Sequence, residues 1–353
     1  MKLQADAAKP APETEPQDAA SADDEDEGHD TAAVNSPTNV KPAHESVAEM
    51  AQQMSAPPPH IAYPYLPDAA ERLSKLEGLD DIKQNIDNLL MLARYNNART
   101  KANPQSKRHT LSLHALFLGN PGTGKTTVGK IYASLLHDAG VLSRGHCIIA
   151  SRSSFIGGVW GSEEKNMHYL LQLAQGGVLF IDEAYLLCSE HPHDPGRVAL
   201  QQLLSVLSDE DNRDLAIVLA GYQKPMEAML SLNPGLESRF PSRSRFVFPD
   251  FSVEELLRIT KTNINAYGYS FTSRAWQTYK SIVTAAYAHR DHSKWGNARY
   301  IQNCLEAIYC SHASRCMRHG LEGNQMLSLT SRDLDLLSAI ECNNATSRAI
   351  GFR

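Results

Sequence analysis

Four apolar runs punctuate the middle of the chain: HALFLGN (114–120), HCIIAS (146–151), VLFIDEA (178–184) and LAIVLAGY (215–222). RFVFPDF adds a fifth at 245–251, and each run ends in a loop. Most are separated by helix-like segments. Short, continuously apolar runs suit strands buried on both faces, and their alternation with helices predicts a parallel sheet covered on both sides. Upstream, LEGLDDIKQNIDNLLMLARY places Leu79, Ile82, Ile86, Leu89 and Leu90 at helical spacing.

After Phe251 the strands are expected to stop. SVEELLRITKTNINAYG, SRAWQTYKSIVTAAYAHR and NARYIQNCLEAIYCSHASRC read as helices, and SRDLDLLSAIECNN as a shorter last one. Ser252 with Glu255 three residues on forms a capping box that starts the first of them. The resulting organisation is a disordered arm (1–66), an α/β domain (67–251), a small helical domain (252–347) and a short tail (348–353).

Charge changes the picture at the amino end. Residues 1–60 hold 12 acidic and 3 basic side chains, the run DDEDEGHD among them, although the whole chain of 353 residues carries only −6. With scattered prolines and almost no aromatic residues, this segment buries too little apolar surface to offset its ordering entropy, so it is expected to be disordered. It also lacks the apolar core of a secretory signal. The remainder is close to neutral and shows no block of Lys and Arg, which argues against a nucleic-acid binder. No stretch is long and apolar enough for a membrane helix. Six cysteines without a CxxC pair fit reduced thiols in a cytoplasmic setting. Cys304, Cys310 and Cys316 lie near His312 and His319, but steps of six residues do not share a helical face, so a structural role is expected rather than zinc.

The chemistry is concentrated in GNPGTGKT, residues 119–126, which matches G-x-x-x-x-G-K-[ST] between an apolar strand and the helix TTVGKIYASLL. Asn120, Pro121, Gly122, Thr123 and Gly124 would wrap backbone N–H groups around phosphate oxygens, and the helix through Thr127 would point its positive end at them. Lys125 would reach the β and γ phosphates of ATP, and Thr126 would ligate Mg²⁺. VLFIDEA then places Asp182 at the end of a buried strand, where it can hold the magnesium through water. Glu183 beside it is placed to polarise the attacking water; the other reading is a solvated acidic pair at a strand end.

Together with LEGLDDIK, LAGY, NPGLESRF, FPDFS and GNAR, these motifs resemble the AAA+ ATPases of the group that includes red-type Rubisco activase and stage V sporulation protein K. The resemblance runs from about residue 70 to 345. It implies a P-loop α/β domain followed by a helical lid, and ATP hydrolysis. It also implies that the backbone of Gly78 and Leu79 packs on adenine, and that Arg239 acts as a finger in a neighbouring subunit's site. Arg299 would be the lid's phosphate sensor. Tyr222 takes a sensor position where many relatives carry Asn or Thr. Read without the resemblance, Arg239 and Arg243 are surface charges. A finger acting in trans needs a ring, which the group usually closes at six copies, and the expected partner is a protein. Rubisco is one candidate. A nucleotide-dependent interaction module, or a subunit of a mixed ring, is the competing expectation. The loop FIGGVWGSEEK follows the second strand, where the resemblance implies a channel-lining segment, with Val159, Trp160 and Gly161 in the gripping places. Trp160 either projects into that channel, with flanking glycines letting the backbone turn, or folds back onto its own subunit.

Overall fold

The computed structural model describes residues 57–105, 111–156, 162–188, 194–208, 214–335 and 337. Six strands make one sheet: β1 (Ile61–Tyr63), β2 (Ala115–Gly119), β3 (Cys147–Ala150), β4 (Val178–Ile181), β5 (Ala216–Gly221) and β6 (Arg245–Phe248). Their order is β1-β3-β4-β5-β2-β6, antiparallel only between β1 and β3. The five apolar runs of the sequence supply the five parallel strands. Every residue of β2, β4 and β5 is buried, because helices cover both faces.

Successive side chains point to opposite faces. Phe117, Phe180, Val218 and Phe246 face α1 (Ala69–Lys75), α2 (Asp80–Ala102) and α3 (Lys125–Asp138). Leu116, Leu179, Ile217 and Leu219 face the other layer: α4 (Arg152–Phe155), α5 (Ser162–Ala174), α6 (Pro195–Leu207), α7 (Gln223–Leu232) and α8 (Pro234–Arg239). Phe117 sits at the centre of the first face, its ring 5.0–6.2 Å from those of Tyr132, Phe180, Phe246 and Phe248.

Beyond β6 come α9 (Val253–Ala266), α10 (Ser273–Ala288) and α11 (Ala298–His319). The capping box forms as expected: Glu255 N donates to Ser252 Oγ at 3.2 Å, and Ser252 N to Glu255 Oε2 at 2.7 Å. Leu256, Tyr279, Ile301 and Leu305 continue the apolar cluster of the first sheet face, so the helical part shares its core.

Three expectations need correction. The arm does not extend to residue 66: β1 pairs with the edge of β3, Tyr65 Oη donates to Asp138 at 2.7 Å, and Lys130 Nζ lies 3.5 Å from the Tyr63 ring centre. Backbone pairing and two tyrosines anchor this stretch to the sheet. Strands also do not end at Phe251, since β7 (Ser270–Phe271) and β8 (Ser328–Leu329) pair in parallel. The last helix opens instead as a 3₁₀ turn at Ser331–Leu334. Val159, Trp160 and Gly161 lie outside the described residues.

Candidate nucleotide site

β2 delivers the chain to Gly119, and α3 begins six residues later at Lys125. The turn between them needs left-handed backbone at Gly122 (φ 71°) and Gly124 (φ 95°), which only glycine adopts cheaply. A Cβ on Gly122 would stand 2.1 Å from Gly296 O and 2.8 Å from Arg299 N, so the helical part closes directly over this loop. Ala298 N also donates to Gly122 O at 3.2 Å.

The loop borders an open cavity of about 600 Å³. Pro121, Gly122, Gly124, Lys125, Thr126 and Thr127 line one wall, and Asp182, Glu183 and Tyr222 come from the carboxyl ends of β4 and β5. Arg299 lines it from the first turn of α11. Four separate sequence motifs therefore meet at one opening, at the carboxyl edge of the parallel sheet, where such folds bind ligands.

Lys125 Nζ donates to Gly119 O and Asn120 O, both at 2.8 Å. Burial pulls its pKa down to about 8; Asp182 and Glu183 oppose the fall, and Arg299 adds to it. Glu183 stands at φ 50°, left-handed backbone that disfavours a side chain, with its N–H donating to Asp182 Oδ1 at 3.1 Å. Such strain costs on the order of 1–3 kcal/mol and concentrates at functional sites. Here it turns two consecutive carboxylates onto the same cavity wall. Tyr185, its ring 5.9 Å from that of Tyr222, has its hydroxyl pushed up to about 12 by burial and then by Glu183. The Thr126 hydroxyl and the Asp182 carboxylate are hard oxygen donors, the kind Mg²⁺ takes.

Other expected residues stand apart from the cavity lining. Gly78 and Leu79, both left-handed, lie just outside it, with Leu79 Cδ1 3.8 Å from where a Cβ on Gly124 would be. Thr123 is fully buried and donates to Asn120 O at 2.8 Å. The Asn120 amide turns away, donating to Asp250 Oδ1 at 2.9 Å and His292 O at 2.7 Å. Arg239, at the end of α8, is held by Ser208 Oγ at 2.9 Å and by Gly235 O. Along α11, Cys304 and Cys316 are buried and Cys310 is exposed. His312 Nε2 hydrogen-bonds Met326 O at 2.8 Å.

The motifs do not reveal the lid wall, formed by Asn263, Tyr267, Gln302, Glu306 and Tyr309. The available signal is spacing: Gln302, Glu306 and Tyr309 follow Arg299 at steps of three and four, one stripe of a helix. Asp250 falls within FPDFS and Asn297 within GNAR, and neither motif marks them as bonded to each other.

Residues 115–247 match the model of the ATPase family associated with various cellular activities (AAA), and residues 252–344 that of the AAA lid domain. The chain is 33% identical over 276 residues to stage V sporulation protein K of Bacillus subtilis, covering 77% of this chain and 83% of the relative. It is 36% identical over 243 residues to protein CbbX of Cereibacter sphaeroides, covering 68% and 76%. Among solved structures, the FIGL-1 AAA domain in complex with ADP superposes with a TM-score of 0.53 at 17% identity, over 90% of this chain and 100% of that one. Among the described residues no helix is long and apolar enough to cross a membrane.

Proposed function

Because the chain belongs to the AAA family of ATPases and is an ATP hydrolase, we propose that it is a ring-forming remodelling machine acting on a protein partner in the cytoplasm. One observation carries the reading. Lys125, Thr126, Asp182, Glu183 and Arg299 share a cavity that Arg239 does not line, which fits a finger supplied by the next subunit.

In this reading, the backbone of residues 120–124 and the start of α3 hold the phosphates, and Lys125 bridges the β and γ groups. Thr126 and Asp182 would hold Mg²⁺, which neutralises charge on the phosphates. Glu183 takes the proton of the attacking water, and its strained backbone keeps that carboxylate over the cavity. Arg299 from the lid and Arg239 from the neighbour stabilise charge as the γ-phosphoryl leaves. Gly78 and Leu79 border the base end. The α/β domain through 251 and the lid from 252 then change their angle with each turnover, moving Val159, Trp160 and Gly161 in the channel.

Steady-state ATPase measured against protein concentration tests the proposal. Turnover per subunit should rise as the chain assembles in Mg·ATP, and rise further with the protein partner. A monomer that hydrolyses ATP at full rate would remove the ring.

A further inference from the structure

A polar bridge outside the catalytic set joins the lid to the phosphate loop. Asp250 Oδ1 accepts from Asn120 Nδ2 at 2.9 Å and from Asn297 Nδ2 at 2.7 Å. Asn297 is fully buried, and its Nδ2 also points at Pro121 O, 3.3 Å away. Its Oδ1 accepts from Phe251 N at 2.9 Å. These partners fix the amide's orientation, since a backbone N–H needs the oxygen and a carboxylate needs the nitrogen.

Asn297 also has backbone angles foreign to a side-chain-bearing residue, φ 49° and ψ −125°. It is the residue just before α11, two positions ahead of Arg299. Asp250 lies in the link from β6 to α9, where the lid begins. One carboxylate thus ties the phosphate loop (Asn120), the lid's first link and the start of the helix that carries Arg299.

We propose that Asp250 and Asn297 are positioning residues of the ATPase: they hold the start of α11 against the phosphate loop and so set Arg299 at the γ-phosphate end of the cavity. The inference rests on the role proposed above for Arg299. A misplacement of about 1 Å at such a group costs on the order of a hundredfold in rate, so a bridge acting this way should register in turnover.

The chemistry selects the variants. Asp250→Asn keeps an oxygen that can accept both amides. Asp250→Ala removes the acceptor. Asn297→Asp still accepts from Phe251 N but turns an oxygen toward Asp250 and Pro121 O, where only acceptors face it. Full-length variants would be assayed for kcat, with Mg·ADP affinity measured by calorimetry, because ADP lacks the phosphate that Arg299 serves. Asp250→Ala and Asn297→Asp should each lower kcat roughly ten- to a hundredfold while the Kd for Mg·ADP moves less than about twofold, and Asp250→Asn should remain near native. The double variant Asp250→Ala/Asn297→Asp should lose no more than the worse single one, because both break the same bridge. Parallel losses of kcat and ADP affinity, multiplicative losses in the double variant, or native kcat in Asp250→Ala would overturn the proposal.

A measurement independent of these variants uses the Glu183→Gln chain. Amide hydrogen exchange across residues 292–299 should slow more with Mg·ATP than with Mg·ADP, and equal protection would sink the idea. Arg299→Ala separates the two readings. If it keeps native turnover, the role of Arg299 falls, whereas native turnover confined to the bridge variants removes only Asp250 and Asn297.

Discussion

The finger assignment makes a quantitative prediction through subunit mixing. Arg239 is bonded within its own subunit to Ser208 and Gly235 and is absent from that subunit's cavity lining. Its proposed work is therefore done next door. Arg239→Ala alone should lose roughly 10³–10⁵ in turnover, the usual scale for such a finger, while still binding nucleotide. Lys125→Ala loses its own site but retains its finger. In a mixed ring, a site is restored only where an Arg239→Ala subunit faces the finger of a Lys125→Ala neighbour. For a fraction f of the first variant, random assembly restores f(1−f) of the sites, a parabola peaking at about one quarter for equal amounts. That shape does not depend on how many subunits close the ring. Phosphate release would be measured against mole fraction, with subunit exchange verified by fluorescence transfer between labelled chains. Baseline activity at every ratio, in a mixture that demonstrably exchanges, would refute action in trans.

Glu183→Gln should bind ATP with near-native affinity while turnover falls by roughly 10²–10⁴, and unchanged turnover would remove Glu183 from the chemistry. Trp160→Ala should spare assembly and basal ATPase but abolish stimulation by a protein partner; failure to assemble, with remodelling intact in the folded fraction, would make Trp160 a packing residue. In the lid, burial alone would raise the pKa of Asp333, but Arg315 and Thr330 hold it below its ordinary 3.8. Its stabilising contribution is therefore complete above about pH 4 and fades as pH falls through the lowered pKa. Asp333→Ala, which leaves Arg315 without its carboxylate at 2.7 Å, should cost about 3 kcal/mol at neutral pH. A melting-temperature gap between native and variant chains that stayed constant down to pH 2 would contradict that account.

The parts of the fold legible in the sequence were those that bury repetitive chemistry. β2, β4 and β5 are covered on both faces and so are written as unbroken apolar runs. The phosphate loop announces itself because its turns need glycine. β1 was missed because an edge strand of three residues, with Ile61 56% exposed, carries no such run. β7 and β8 hold two residues each and are made by pairing across the lid rather than by local pattern. The Asp250 bridge joins residues 130 and 47 positions apart, and no local spacing encodes a contact of that reach.

Backbone strain gives a different view of the same site. Among the described residues, Leu79, Glu183 and Asn297 are the non-glycine positions with left-handed φ. One belongs to the linker before α2, one to the turn after β4 and one to the start of α11, yet all three border the phosphate loop or its cavity. Leu79 lies beside Gly124, Glu183 lines the cavity, and Asn297 reaches Pro121. Each costs on the order of 1–3 kcal/mol and persists only where surrounding contacts impose it. For Leu79 and Asn297 those contacts are burial to 6% and 0% exposure. Sequence alone cannot mark such positions, since Leu and Glu are ordinary helix formers and Asn an ordinary cap. The strained backbone thus gathers where the linker before α2, the turn after β4 and the start of α11 meet the phosphate loop or its cavity, three separate segments whose geometry only tertiary contacts can impose.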